Sequence, residues 1–264
     1  MSQTVSDAAL RAIVAAALAF MLLPVALVVL FSFSSDPEMA FPFHGPTLRW
    51  YRESFSDPSV VHGLWNSLIL AASSSVLAVS AGTAAGIAVA RARPRVAAVL
   101  SSILTLPMLM PPLLLGISLS TLFAALTVPL SLATAALGHT IIVLPLTFVF
   151  VAARLARFDW RVEDASRDLG AGPVLTFFLV VLPAIKPAIV GAMAIAFAAS
   201  LDEFVVTFFT LGVDYTLPLL LWSKLRYSID PSINAIGTVM LLLSTGVIAM
   251  GARFGTVRLS RTGQ

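Results

Sequence analysis

The sequence predicts an all-α membrane protein with six transmembrane helices, on three observations. Hydrophobic residues fill 59% of the 264 positions and charged residues 11%, against roughly 45–50% and 25% in an ordinary soluble domain. The mean hydropathy is +0.98, and the apolar residues fall in long uncharged runs, as a bilayer core needs at about 20 residues per helix. Within lipid each backbone N–H and C=O must be paired inside its own segment, so these runs are helices.

The first run, Ala12 to Phe31, is twenty uncharged residues behind Arg11. It exceeds the roughly 7–15-residue core of a signal peptide, so it reads as an uncleaved span over about residues 12–34. Ser35 to Gly63 is polar and holds Asp36, Glu38, Glu53 and Asp57 against Arg49 and Arg52, which suits an outside loop. A second span, about 66–90, closes on Arg91-Ala92-Arg93-Pro94-Arg95, where proline and charge stop a helix. The 58 residues between Arg95 and Arg154 carry no formal charge apart from a possible proton on His139. They predict spans over about 97–126 and 133–153 with a turn near Thr127 to Leu132. Residues 154–183 break the pattern, with four arginines and four acids between Arg154 and Asp168. A fifth span follows at about 187–211, then an outside loop with Asp214, Lys224, Arg226 and Asp230. A sixth span covers about 233–252, and Arg253, Arg258 and Arg261 end the chain. The whole, 1–264, reads as one transmembrane domain.

Topology follows from charge. With the N-terminus inside, twelve basic residues are cytoplasmic and only Arg49, Arg52, Lys224 and Arg226 are outside. That is the positive-inside pattern, and the inverted topology reverses it, so both termini are predicted to be cytoplasmic. The net charge of +3 therefore reflects loop placement against a lipid membrane rather than binding to nucleic acid.

Several chemistries are excluded. No cysteine is present, and His44, His62 and His139 are scattered, so no metal site is expected. A phosphate-binding loop needs Gly-Lys-Ser/Thr, but the only lysines are Lys186 after Ile185 and Lys224 after Ser223. The chain is expected to hold no catalytic residue and no cofactor. A secondary transporter would show symmetric halves with interrupted helices, and no internal repeat is visible. An intramembrane enzyme would need convergent catalytic groups, which the adjacent Asp202 and Glu203 do not supply.

The charged loop has internal order. Asp159 reads as a helix N-cap, Glu163 and Arg167 as an i,i+4 pair, and Gly170-Ala171-Gly172-Pro173 as a stop and restart. A second short helix is expected to end at Leu182-Pro183. Two short helices beneath the membrane form a knob that another protein can grip. The run Asp164-Ala165-Ser166, three residues, Gly170, nine residues, Val180-x-Leu182-Pro183 resembles the EAA loop of ATP-binding-cassette importer permeases. That family has Glu-Ala-Ala and Ile-x-Leu-Pro at the ends of the same spacing, so Asp164, Ser166 and Val180 are departures, and Glu163 is an alternative acid one residue early. The wider stretches Asp168-Leu169-Gly170-Ala171, Ser200 to Val206 and Thr216-Leu217-Pro218-Leu219 are similar to the second permease type of spermidine/putrescine importers.

The resemblance implies a six-helix permease of the type I importer kind in the cell inner membrane, forming half of a translocation pathway. It implies a docking surface for a separate ATPase dimer at Glu163, Asp164, Ala165, Ser166, Asp168, Gly170 and Ala171, with ATP and Mg held by that partner. It also implies a second, homologous permease subunit and a solute-binding protein outside. The expected substrate is a polyamine, with opines, phosphonates, thiamine or ferric iron as alternatives.

Asp202 and Glu203 are the sharpest pathway candidates, because an acid deep in a membrane helix costs about 2.5–3.5 kcal/mol on insertion scales. The competing reading is that one of them caps a broken helix or pairs with an arginine. Trp222, with Trp65 and Tyr227, offers a ring for an amine, although aromatics at span ends are commonly interfacial anchors. Gly82-x-x-x-Gly86 suits close helix approach, either against another subunit or within the chain, and Ser73 to Ser75 suit hydrogen bonds across helices. Pro107, Pro111 and Pro112 interrupt the third span as a hinge, a cavity lining or a static kink, and His139 is read as a satisfied packing residue.

Overall fold

The computed structural model describes residues 2–36, 43, 45–227 and 231–255; Glu38, His44, Asp230, Arg258, Arg261 and the Tyr227 side chain lie outside the described residues. Within them the chain is helical, and a single isolated bridge joins Ser34 to Pro46. Among the described residues five helices are long and apolar enough to cross a membrane: Ala9–Phe31, Pro58–Arg91, Leu132–Leu155, Pro173–Asp202 and Ser232–Gly255. A sixth crossing is available if Pro94–Leu109 and Pro112–Ala125 count as one. The chain forms two compact units, Met1–Val61 with Leu220–Leu241, and His62–Leu219 with Leu242–Gln264.

In the first unit, α1 (Ser2–Phe31) exposes its apolar side chains from Ala9 to Ala26. A helix apolar all round and unburied is solvated by lipid. After it comes α2 (Arg49–Ser56), whose buried Trp50 donates its indole N–H to Ser34 O at 2.7 Å, while Tyr51 and Ser32 share a 2.7 Å hydroxyl contact. Asp57 accepts the Ser59 N–H at 2.9 Å in front of Pro58, an N-cap before a proline at the first helical position. That bond holds the Asp57 carboxyl below its usual range, and Lys224, 3.5 Å away, adds to the effect.

The second unit contains most of α3 (Pro58–Arg91), with α4 (Pro94–Thr105), α5 (Pro112–Ala125), α6 (Leu132–Leu155), α7 (Arg161–Asp168), α8 (Pro173–Thr176), α9 (Leu182–Asp202) and α10 (Val205–Thr210). Helices α11 (Leu217–Tyr227) and α12 (Ser232–Gly255) are each divided between the units. Small residues set the packing. A Cβ on Gly82 would lie 2.9 Å from Phe148 N, and one on Gly86 would lie 3.1 Å from Val151 Cγ1, so the Gly82-x-x-x-Gly86 face of α3 is used inside the chain, against α6. Ala78, Val143 and Ala196 are buried together where α3, α6 and α9 meet.

Three expected elements differ from those observed. The span 97–126 is two helices bent by 101°, because Pro111 has no N–H to donate and drives Met110 into an extended conformation (ψ 130°). Pro112 then opens α5. The second short helix of the charged loop does not stop at Leu182-Pro183. Instead α8 widens into a π-helical turn, Phe177–Val181, and runs on into α9. Leu182 N–H bonds back five residues to Phe177 O, and this wider turn absorbs the donor that Pro183 lacks without ending the helix. The span 187–211 is likewise interrupted, at Glu203 and Phe204.

Candidate functional site

The charged loop is organised around one buried acid. Asp159 Oδ1 accepts the Arg161 N–H at 3.0 Å, one residue ahead of the N-cap position expected for it, which Trp160 occupies. Two residues into α7, the Glu163 side chain is 8% exposed. Arg91 Nη2 lies 3.0 and 2.9 Å from its two carboxylate oxygens, and Arg167 Nη2 donates to Oε1 at 2.7 Å. The Arg91 guanidinium also sits 5.3 Å over the Trp160 ring. Below them Leu155, Val181 and Ile185 form an apolar pad, against which Ile87, Phe158 and Trp160 pack.

Helix α7 closes with a Schellman motif. Gly170 N–H donates to Arg167 O and Ala171 N–H to Ser166 O, with Gly170 at φ +88°. A left-handed residue is required there, and glycine adopts it without strain. No atom lies within 4 Å of a Cβ built on Gly170 or Gly172. Of the expected docking residues, Asp164, Ala165, Asp168 and Gly170 are exposed, Ser166 and Ala171 are half-buried, and Ser166 shares a 3.2 Å contact with the Thr176 hydroxyl. Leu169, 89% exposed, and Val174, 69% exposed, flank them, so the tip is both apolar and acidic.

Asp202 and Glu203 do not sit side by side within a continuous helix. Asp202 ends α9, and Glu203 is extended, with ψ 117°. Glu203 Oε1 accepts the N–H groups of Val205 and Val206 at 2.8 and 3.1 Å and so caps α10. Asp202 is exposed, and the contact its carboxylate makes is with the Ser244 hydroxyl, 3.3 Å from each oxygen. Trp222 belongs to the other unit, where the Arg226 guanidinium lies 5.5 Å from its ring. The two acids thus divide their roles: Glu203 builds the break and Asp202 is presented by it.

His139 pins the same break. Its Nδ1 is 2.7 Å from Ser200 Oγ and its Nε2 is 2.7 Å from Thr207 Oγ1. Thr207 Oγ1 also lies 3.0 Å from Glu203 O. Ser200 Oγ continues the chain to Ser74 Oγ at 2.8 Å. Four helices, α3, α6, α9 and α10, meet through this line, and His139 is satisfied at both nitrogens, as expected of a packing residue.

Two groupings were not expected from sequence. One is the pairing of Arg91 with Glu163 across 72 positions; Arg91 had been read only as part of a helix-stopping charge cluster. The other lies at the opposite end of α3. There Asp214 Oδ1 accepts from His62 Nε2 at 2.9 Å, Asn66 Nδ2 at 2.8 Å and Tyr215 N–H at 2.8 Å. Burial pushes the Asp214 carboxyl up, and the bonds from His62, Tyr215 and Asn66 outweigh it, leaving the group below its usual range. A polar start to a span was the available signal for His62 and Asn66, but the loop partner gave none.

Residues 82–256 match the family described as binding-protein-dependent transport system inner membrane component. The chain belongs to that family. It is an all-helical inner-membrane transport component. Over 230 residues it is 33% identical to the putrescine transport system permease protein PotI of Escherichia coli (strain K12), covering 84% of this chain and 82% of that one. Against the spermidine/putrescine transport system permease protein PotC of Haemophilus influenzae it is 30% identical over 233 residues, covering 88% and 90%. Its fold matches a chain in the crystal structure of a bacterial alginate ABC transporter in complex with an alginate pentasaccharide-bound periplasmic protein, with a TM-score of 0.71, 11% identity and coverage of 100% and 99%.

Proposed function

We propose that this permease is one of two related membrane subunits of an ATP-driven importer for small polyamines. A separate ATPase pair docks on the cytoplasmic loop around α7, holds the ATP and Mg, and drives the cycle. A solute-binding protein delivers substrate from outside, and both termini of this chain are cytoplasmic. The observation that carries this reading is the open tip of the loop. Asp164, Asp168 and Leu169 are exposed beside a Gly170 with empty space around it, on the spacing that resembles the EAA loop. A second protein seated there would bury the apolar tip and give Asp164 a charged or hydroxyl partner.

The substrate class rests on Asp202 and on the named relatives. An exposed carboxylate at a helix break attracts a cation, and the PotI and PotC relatives carry putrescine and spermidine/putrescine in their names. Substrate is exposed to one side of the membrane at a time as the ATPases close and reopen.

The test is co-purification from mild detergent, with bound proteins identified by mass, for the wild-type chain and for Asp164→Arg. An ATPase bound to wild type and lost from the variant is the expected result. Stable wild-type protein with no ATPase attached would favour a self-contained transporter.

A further inference from the structure

The EAA-like spacing leaves two candidates for the acid that meets the ATPase, Glu163 and Asp164, and the structure separates them. Asp164 is exposed. Glu163 is more than nine-tenths buried, with one oxygen shared by Arg91 and Arg167 and the other held by Arg91 alone. A carboxylate that is buried and already paired with two guanidinium groups offers little surface to a partner.

The position of Arg91 shows what this grip does. Arg91 is the last residue of α3, and Glu163 lies in α7, so the contact fastens the loop helix to the cytoplasmic end of a membrane helix. From Arg91 back to His62, α3 spans about 44 Å at 1.5 Å per residue. Its far end is bound through His62 and Asn66 to Asp214, and its middle through Ser74 to Ser200. The loop already reaches α9 through the continuous chain of α8 and the π-helical turn. The Glu163 contact adds a second, non-covalent route into α3.

We propose that Glu163 is a positioning residue that couples α7 to α3 through Arg91, so that a displacement of α7 moves α3 as a rod, and that of the two adjacent acids it is Asp164 that meets the ATPase. This rests on the importer reading above. The apolar pad holds the elements together without directional bonds, and the charged grip adds a directional contact between α7 and the end of α3.

The experiment uses the transporter purified with its partner proteins, with three readouts: ATPase retained on the chain, ATP hydrolysis, and polyamine uptake into vesicles. Glu163→Gln and Arg91→Met are expected to retain the ATPase and its hydrolysis while uptake falls about tenfold. Arg91→Lys, which keeps a cationic nitrogen, is expected to restore much of the uptake. Asp164→Asn is expected to shed the ATPase. If Glu163→Gln does not accumulate in the membrane, the two Arg91 variants decide the question on their own. ATPase lost from Glu163→Gln and retained by Asp164→Asn would overturn the proposal, as would unchanged uptake in both Glu163→Gln and Arg91→Met. Failure of the importer reading itself would look different: the wild-type chain would carry no ATPase.

Discussion

Around the break between α9 and α10 the chain satisfies its polar groups itself, whereas around α7 it leaves half of them open. At the break Glu203 caps α10, Thr207 closes on Glu203 O, and His139 joins Ser200 to Thr207. In the loop Glu163 is buried and held by two arginines, yet Asp164 and Asp168 are exposed and Leu169 stands almost bare. Two glycines show the same contrast: Gly82 sits against the Phe148 backbone, and Gly170 faces empty space. Lipid supplies no hydrogen bonds, so a polar group within the membrane must be paired internally or be reserved for a substrate. Loop groups can wait in water for a protein. On this comparison Asp202 is exposed beside a break whose other named groups are paired, and Glu163 is buried in a loop whose tip is open.

The largest effect that tests the contrast is on the glycines. Gly82→Val places a branched side chain against Thr147 and the Phe148 backbone and should cost about 3 kcal/mol by overpacking, read as a fall in the thermal unfolding midpoint in detergent. Gly170→Ala meets no neighbour and carries only the left-handed backbone penalty of about 1 kcal/mol. Equal destabilisation by the two would mean that the loop glycine is packed within the chain after all, and the contrast would fail.

His139→Leu comes next. It removes two side-chain hydrogen bonds but leaves Thr207 its bond to Glu203 O and Ser200 its contact with Ser74, so a loss of about 1–2 kcal/mol is expected. Because the network meets at the break, the variant should also reduce uptake while leaving the loop's partner attached. A variant as stable as wild type would show that Glu203 capping alone holds the break.

The sequence made most of the membrane architecture legible, because runs such as Ala12 to Phe31 are governed by a one-dimensional requirement for length and apolarity. The loop helix α7 was legible for the same local reason: the Glu163–Arg167 pair and the Gly170 stop act within a few residues, and both are present. What could not be read was set by distant partners. Arg91 finds Glu163, and His62 and Asn66 find Asp214, across separations that carry no periodicity. Pro183 misled for a different reason. A proline usually ends a helix, yet the bond from Leu182 to Phe177 O widens the turn before it and lets the helix pass. Asp202 and Glu203 were found by their cost in a membrane, but their division of labour depended on a break whose location only the three-dimensional structure displays.

The smallest effect concerns the His62 end of α3, where the chain again satisfies an acid itself but does so in partial contact with water. Asp214 has a carboxyl held below its usual range by His62, Tyr215 and Asn66 against the opposing effect of burial. A depressed acid contributes stability that is fully present above its unfolded value, about pH 3.9, and is lost as pH falls through the lower folded value. The contribution should therefore be in place above about pH 4 and should fade below that. The Asp214 side chain is 39% exposed, so water screens the contacts and the change will be modest. Thermal midpoints of wild type and Asp214→Asn, compared between about pH 3 and pH 7, should converge at the acid end and separate above it. Parallel curves over the whole range would mean that the His62–Asp214 contact does not hold α3 at that end, and the bonds of Asn66 to Tyr215 O and of Leu217 N–H to Ser67 would hold it instead.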